Sequence, residues 1–161
     1  GVLLDIPALQ GIDALAGGTE ITVEDLDSAC ERQGVTIARG DVVLIRSGWG
    51  RHWAEKTTYI GADSGVPGVS ESGANWLAAK GVHAAGADTI AFERLLPGAG
   101  HALLPAHRVL LVEHGIYIIE TMALEELAAA RVHVFTFMLS GLPLVGATGS
   151  PVRPLAIMDA L

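Results

Sequence analysis

The 161-residue chain has a formal charge of −8, with 18 Asp plus Glu against 10 Lys plus Arg, and half of its residues are apolar. That length and apolar content suit a single domain, residues 1–161, with a sizeable buried core. The acidic balance, with no basic run and no aromatic residues interleaved among basic ones, argues against nucleic acid as a partner, and no apolar run approaches the about 20 residues a membrane helix needs.

One cysteine, Cys30, permits no intrachain disulfide and no cysteine metal cluster, which fits a reducing compartment. No charged-then-apolar leader precedes the first strand, so the expected location is cytoplasmic. The chain opens on Gly1-Val2-Leu3-Leu4-Asp5, which reads as a strand already under way. The expectation is N-terminal truncation or processing, with tag removal as the alternative reading of a starting Gly.

Val2 to Ile6 is a short apolar run ended by Pro7, and Gly11, Gly17 and Gly18 mark a connection. Thr22 with Asp25 three residues on resembles a capping box. Val23, Leu26, Ala29 and Cys30 keep helical spacing until Gly34, which predicts a helix of about three turns. Val42-Val43-Leu44-Ile45-Arg46 is a continuous apolar run of the kind found in strands covered on both faces. Residues 51–68 read as a long surface loop with one helical turn, a length often tied to function.

Ser70 opens the next predicted helix, which runs through Trp76, Leu77 and Ala79 to Gly81, and a small-residue strand follows from Val82 to Ala87, ending at Asp88. Pro105 suits a helix first turn, and that helix runs through His107, Leu110, Leu111 and His114 to Gly115. Ile116 to Glu120 is the next strand, 124–130 a short helix, Val132 to Met138 a long strand and Val152 to Met158 the last. About six strands and four helices in alternation, without a repeat, predict an α/β fold with a mixed sheet.

At about 1.5 Å per residue His107 lies about 10 Å from the Gly115 turn, and a strand at about 3.3 Å per residue returns about 13 Å by Glu120. An imidazole and a carboxylate would then meet at one end of the sheet. Zn2+ or Mn2+ accepts both as ligands, although two ligands alone do not complete a site. His114 lies too far along the same helix to share the ion. The plainer alternative is that His107 hydrogen-bonds locally and Glu120 is a solvated strand-end residue.

The stretch His107-Arg-Val-Leu-Leu-Val-Glu-His-Gly-Ile-Tyr-Ile-Ile-Glu120-Thr-Met-Ala-Leu-Glu-Glu-Leu127 resembles the signature of the cyclase-family metal-dependent hydrolases, the group that includes kynurenine formamidase-like and isatin hydrolase-like enzymes. Gly1-Val2-Leu3-Leu4-Asp5, the segment Arg39 to Trp49, Gly86-Ala87-Asp88-Thr89 and Gly149-Ser150-Pro151-Val152-Arg153-Pro154 agree with it in the same order. The resemblance covers nearly the whole chain and places it in the C-terminal two-thirds of the family domain. It implies a swivelling β/β/α fold and a dimer or tetramer. It also implies a metal-dependent hydrolase of amides or cyclic amides such as N-formylkynurenine or isatin.

On that resemblance His107 and Glu120 become metal ligands, with His101 an alternative ligand because relatives vary by a residue in this spacing. The family's other ligands and its catalytic histidine belong to a motif of the form His-x-Gly-Thr-His-x-Asp-x-Pro-x-x-x-His, or a variant with Gln for the second His, lying before the strand that opens this chain. The sequence contains no such motif. The expectation is therefore no catalytic residue in this chain, and no activity unless the missing segment or a partner subunit associates to complete the site. The alternative function is a non-catalytic oligomerisation or binding module that kept the fold.

Asp88 and Trp49 are the candidate substrate-binding residues, with turn capping and core packing as their plainer roles. His52 and Trp53 in the long loop are weaker candidates for substrate contact. His83 and His133 are expected to be packed and hydrogen-bonded, and Glu113, Glu125 and Glu126 to form a solvated helix face.

Overall fold

A computed structural model describes residues 1–98 and 103–158. Its centre is a parallel sheet of four strands, β1 (Val2–Asp5), β3 (Val42–Arg46), β5 (Ala84–Ala87) and β6 (Tyr117–Ile119), in the order β1-β3-β5-β6. The register sets Leu3 beside Leu44, Leu44 beside Gly86 and Gly86 beside Ile119. Side chains alternate faces along a strand, so the continuous apolar runs serve two cores at once. Val2, Leu4, Val43, Ile45, Ala85 and Ala87 face one core, whereas Leu3, Leu44, Ala84 and Ile119 face the other.

Helices cover the first face. After α1 (Pro7–Gln10) and the two-residue β2 (Glu20–Ile21), α2 (Val23–Gln33) buries Leu26 and Ala29. Its start is a complete capping box: the Asp25 amide donates to Thr22 Oγ1 at 3.2 Å and the Thr22 amide to Asp25 Oδ2 at 2.9 Å. Gly34, at φ 65°, closes the helix in the left-handed conformation that a glycine adopts without penalty. α3 (Lys56–Tyr59) and β4 (Gly68–Val69) follow β3, and α4 (Glu71–Lys80) then lays Ala74 and Leu77 on the same core. Ser70 stands at the helix start, yet its hydroxyl faces Ser72 at 2.9 Å and caps no amide.

The predicted helix over 105–114 begins as α5 (Pro105–His107) and widens into a π-helix over Arg108–Glu113, burying Val109 and Leu110. π-helical turns are rare in general and often lie at functional positions. The second face of the sheet is covered by Met122, by Leu124 at the start of α6 (Glu125–Ala129), and by Phe135. Gly86 is required there, since a Cβ would stand 2.5 Å from Met122 Sδ and 2.8 Å from Leu44 Cδ2.

The fold is α/β with parallel and antiparallel sheets. The four-stranded sheet is all-parallel, and among the described residues the antiparallel pairing lies in β7 (Thr136–Met138) with β8 (Leu155–Ile157) and in the Val2–Val134 and Val66–Leu95 bridges. The described residues hold eight strands and six α-helices, because short elements that leave no periodic signal add to those predicted. The predicted strand from Val132 to Met138 contracts to its last three residues. No helix among the described residues is long and apolar enough to cross a membrane.

Candidate functional site

The stretch predicted as a surface loop, residues 51–68, is largely exposed over 51–64 and carries the one predicted helical turn as α3, but Tyr59 and residues 65–68 turn into the body of the protein. Trp49–His52 forms a 3-10 turn before α3, and Trp49, Tyr59 and Val66 pack with Ala91 and Leu95 in a third apolar cluster. This cluster lies beside the C-terminal ends of the parallel strands, where open α/β sheets hold their ligands.

Asp88, directly after β5, is buried and holds the turn after β3. Its carboxylate accepts from the Ser47 amide at 2.9 Å, from Ser47 Oγ at 2.6 Å and from the Gly50 amide at 3.4 Å. Burial pushes its pKa up, against those hydrogen bonds. Trp49 is 3% exposed, and its indole N–H donates to the Tyr59 carbonyl at 2.9 Å. The Tyr59 hydroxyl donates to the Asp88 carbonyl at 3.2 Å. Burial, then the charges of Asp88 and Glu120, push its pKa up to about 12, so it stays protonated. Trp53 is exposed and meets Tyr59 edge-on at 5.2 Å, and His52 lies 3.4 Å from Glu55.

Glu120 follows β6 at this same end of the sheet, and α5 begins there. His107 Nε2 stands 3.3 Å from Glu120 Oε1, the meeting that helix and strand lengths predicted. The opposite ring nitrogen, Nδ1, is 2.8 Å from Glu93 Oε1. An imidazole thus lies between two carboxylates, one on each nitrogen. Hydrogen bonds to Glu120 and then Glu93 outweigh burial and push the His107 pKa up to about 9. The residue before Glu93 and the residue after Glu120, Phe92 and Thr121, both have left-handed φ, 57° and 55°. Non-glycine residues there are strained, and a β-branched one most of all.

Glu93 was not among the residues singled out in the sequence. Its signal was a lone acid in the run Ile90-Ala91-Phe92-Glu93-Arg94-Leu95-Leu96, where burial of the neighbours would force it inward. Arg46 went unmarked too: it pairs with Asp5 at 2.7 Å and with Glu125 at 2.8 Å, both across from its buried guanidinium. Burial opposes its charge, but the hydrogen bonds to Glu125 and Asp5 prevail and its pKa is raised. Glu125 is therefore an ion-pair partner and not a member of a solvated face. His133 is hydrogen-bonded as expected, at 2.9 Å from Gln33 Nε2, whereas His83 is exposed and meets the Tyr117 ring at a tilt, with centroids 5.5 Å apart. His101 lies outside the described residues.

The donor set can be tested against a metal. A nitrogen and an oxygen sharing a tetrahedral Zn2+ stand roughly 3.4 Å apart, given bond lengths of about 2.0–2.2 Å. The 3.3 Å between His107 Nε2 and Glu120 Oε1 fits two neighbouring ligand positions. Glu93 approaches the other nitrogen and so cannot share that ion. Among the described residues no group of three or more His, Cys, Asp or Glu side chains converges to hold a metal. The open hollow lined by Leu9, Asp25, Ser28, Glu31 and Arg32 lies over α1 and α2, with none of these site residues on its wall.

The Cyclase family model, described as "Putative cyclase", matches residues 1–94, more than half of the chain. The chain belongs to this family. Among solved structures, the chain is similar to one described as a novel cyclase, at 30% identity and a TM-score of 0.85, covering 98% of this chain and 52% of that one. It is also similar to isatin hydrolase A from Ralstonia solanacearum, at 22% identity and a TM-score of 0.77, covering 96% and 57%. A third is described as a potential metal-dependent hydrolase with cyclase activity, at 24% identity and a TM-score of 0.59, covering 95% and 61%. The last two likenesses show the fold alone. The chain spans 52–61% of the length of these structures, and no curated protein matches it.

Proposed function

We propose that this chain forms part of a metal-dependent hydrolase of amide or cyclic amide bonds, with His107 and Glu120 as two ligands of a Zn2+ or Mn2+ ion. The carrying observation is the 3.3 Å approach of His107 Nε2 to Glu120 Oε1 at the C-terminal end of the sheet. Solved structures described as an isatin hydrolase and a potential metal-dependent hydrolase share the fold, which supports the reading. The described residues supply two donors, so the ion's further ligands and the catalytic proton carrier come from outside this set, either from further polypeptide or from a second subunit of a dimer or tetramer.

An ion held by His107 and Glu120 with further ligands would supply Lewis-acid polarisation of a scissile carbonyl and would acidify bound water. Glu120 contributes negative charge beside the imidazole. Asp88 fixes the Ser47–Gly50 turn over the strand ends, and Trp49 packs behind it; we assign both to substrate binding through the placement of that turn. The Tyr59 hydroxyl stays protonated beside them and anchors the turn to Asp88.

Metal titration followed by elemental analysis tests this. The expected result is Zn2+ or Mn2+ at up to one equivalent per chain, weakly held, and lost in His107→Ala and in Glu120→Ala. Amide hydrolysis by the chain alone is expected to be undetectable. A wild-type chain that takes up no ion, and is matched by His107→Ala, favours instead a non-catalytic oligomerisation or binding module.

A further inference from the structure

The Glu93 side chain is 2% exposed, and a carboxylate so deeply buried needs its oxygens satisfied. Among the described residues the partners of its carboxylate all belong to the first turn of α5. The Ala106 amide donates to Oε2 at 2.8 Å, the His107 amide approaches Oε1 at 3.2 Å, and His107 Nδ1 stands 2.8 Å from that same oxygen. One oxygen therefore grips both the backbone and the ring of His107, which fixes where the ring sits and how it is turned.

The acid is itself firmly held. Glu93 bridges to Val69 in β4, the Arg94 amide donates to the Val69 carbonyl at 2.9 Å, and Arg94 Nε donates to the Gly18 carbonyl at 2.7 Å. Its backbone follows the strained Phe92. An ionised carboxylate only accepts hydrogen bonds, and each ring nitrogen faces one. Glu93, at 2.8 Å and 2% exposed, is nearer and drier than Glu120, at 3.3 Å and 36% exposed, so a neutral imidazole keeps its hydrogen on Nδ1. The lone pair then lies on Nε2, the nitrogen that faces Glu120.

From this geometry we infer that Glu93 is a positioning residue: it holds His107 in the Nδ1–H tautomer and presents Nε2 as a ligand toward Glu120. The inference rests on the metal reading for its consequence, but not for the tautomer itself. Glu93→Gln keeps the size of the side chain while adding two hydrogens that oppose the Ala106 and His107 donors. A carboxylate that holds the far nitrogen of a metal-binding imidazole commonly shifts metal affinity by about 10- to 100-fold.

Two measurements on the full chain, with Zn2+ as the probe, decide it. The first is Zn2+ titration of wild type, Glu93→Gln, Glu93→Asp and His107→Ala. The second is 15N NMR of the histidine rings, in the Zn2+-loaded chain and in the metal-free chain at a pH where His107 is neutral. Expected are a protonated Nδ1 on His107 in wild type, a mixture of tautomers in Glu93→Gln with about 10-fold or greater loss of Zn2+ affinity, and partial recovery in Glu93→Asp. An unchanged tautomer and unchanged affinity in Glu93→Gln, even with lower thermal stability, overturns the proposal and leaves Glu93 a helix cap. If wild type binds no Zn2+ the metal reading fails, and the metal-free ring spectrum still tests the tautomer. Should Glu93→Gln be unfolded, a wild-type ring protonated on Nε2 when neutral overturns the proposal by itself.

Discussion

The four-stranded sheet and the β7–β8 hairpin are built from equally apolar sequence, yet they bury it to opposite extents. In β1 every residue is buried, and in β5 likewise. In β7 and β8 each central residue is half-buried and its two neighbours are exposed. Phe137 and Ala156 touch the core on the second face of the sheet, while Val134, Met138, Leu155 and Ile157 stand exposed, Val134 at 64%. A strand's stability comes from what covers its faces, and two strands alone are marginal in water. Apolarity in a strand-like run therefore predicts the strand and not its cover.

The largest effect expected from breaking this contrast is in the body. Arg46→Ala leaves Asp5 as an uncompensated buried charge and is expected to cost about 3–5 kcal/mol in a urea melt. A loss below about 1 kcal/mol would mean that water reaches Asp5 and the sheet end is looser than its burial implies.

A smaller effect concerns the site that the body supports. The His107 pKa of about 9 is above the ordinary 6.5, so the folded chain binds the proton more tightly than the unfolded one. That stabilisation is fully present below about pH 6.5 and is lost as pH rises through about 9. Its size is on the order of 2 kcal/mol, after a discount because Glu120 is more than a third exposed. Urea melts of metal-free protein at pH 6 and pH 10 should show this fall, and Glu120→Gln should reduce it. An equal slope in Glu120→Gln would remove that pair as its source.

The smallest effect belongs to the hairpin. Met138→Thr and Ile157→Thr, both on its exposed side, are expected to change stability by no more than about 0.5 kcal/mol, as open positions do. Amide exchange over 136–157 should be faster than over 42–46, following the burial of the two regions. Protection of the hairpin equal to that of β3 would show that its open face is covered in solution.

Where local chemistry was complete, the chain could be read directly. The Thr22–Asp25 box, the Gly34, Gly81 and Gly115 stops and the limits of β3 at Val42 and Arg46 all follow from neighbours in sequence. The approach of His107 and Glu120 could be anticipated because one helix and one strand set it by their lengths. Glu93 could not be found so easily. It lies 14 residues before His107, and the contact depends on β4 and Gly18 holding the Glu93–Arg94 backbone in place.

The sequence alone determined the alternating α/β elements, the two-sided burial of the sheet strands and the candidate pair at its end. Those properties reside in hydrophobic period, capping residues and element length, each a matter of a few neighbours. Only the tertiary structure decided that Trp49 and Tyr59 turn inward, that Asp88 ties β5 to the turn after β3, and that Glu93 grips His107 from behind. Each depends on residues far apart in the chain arriving at one sheet end, where a buried carboxylate or indole N–H needs a partner.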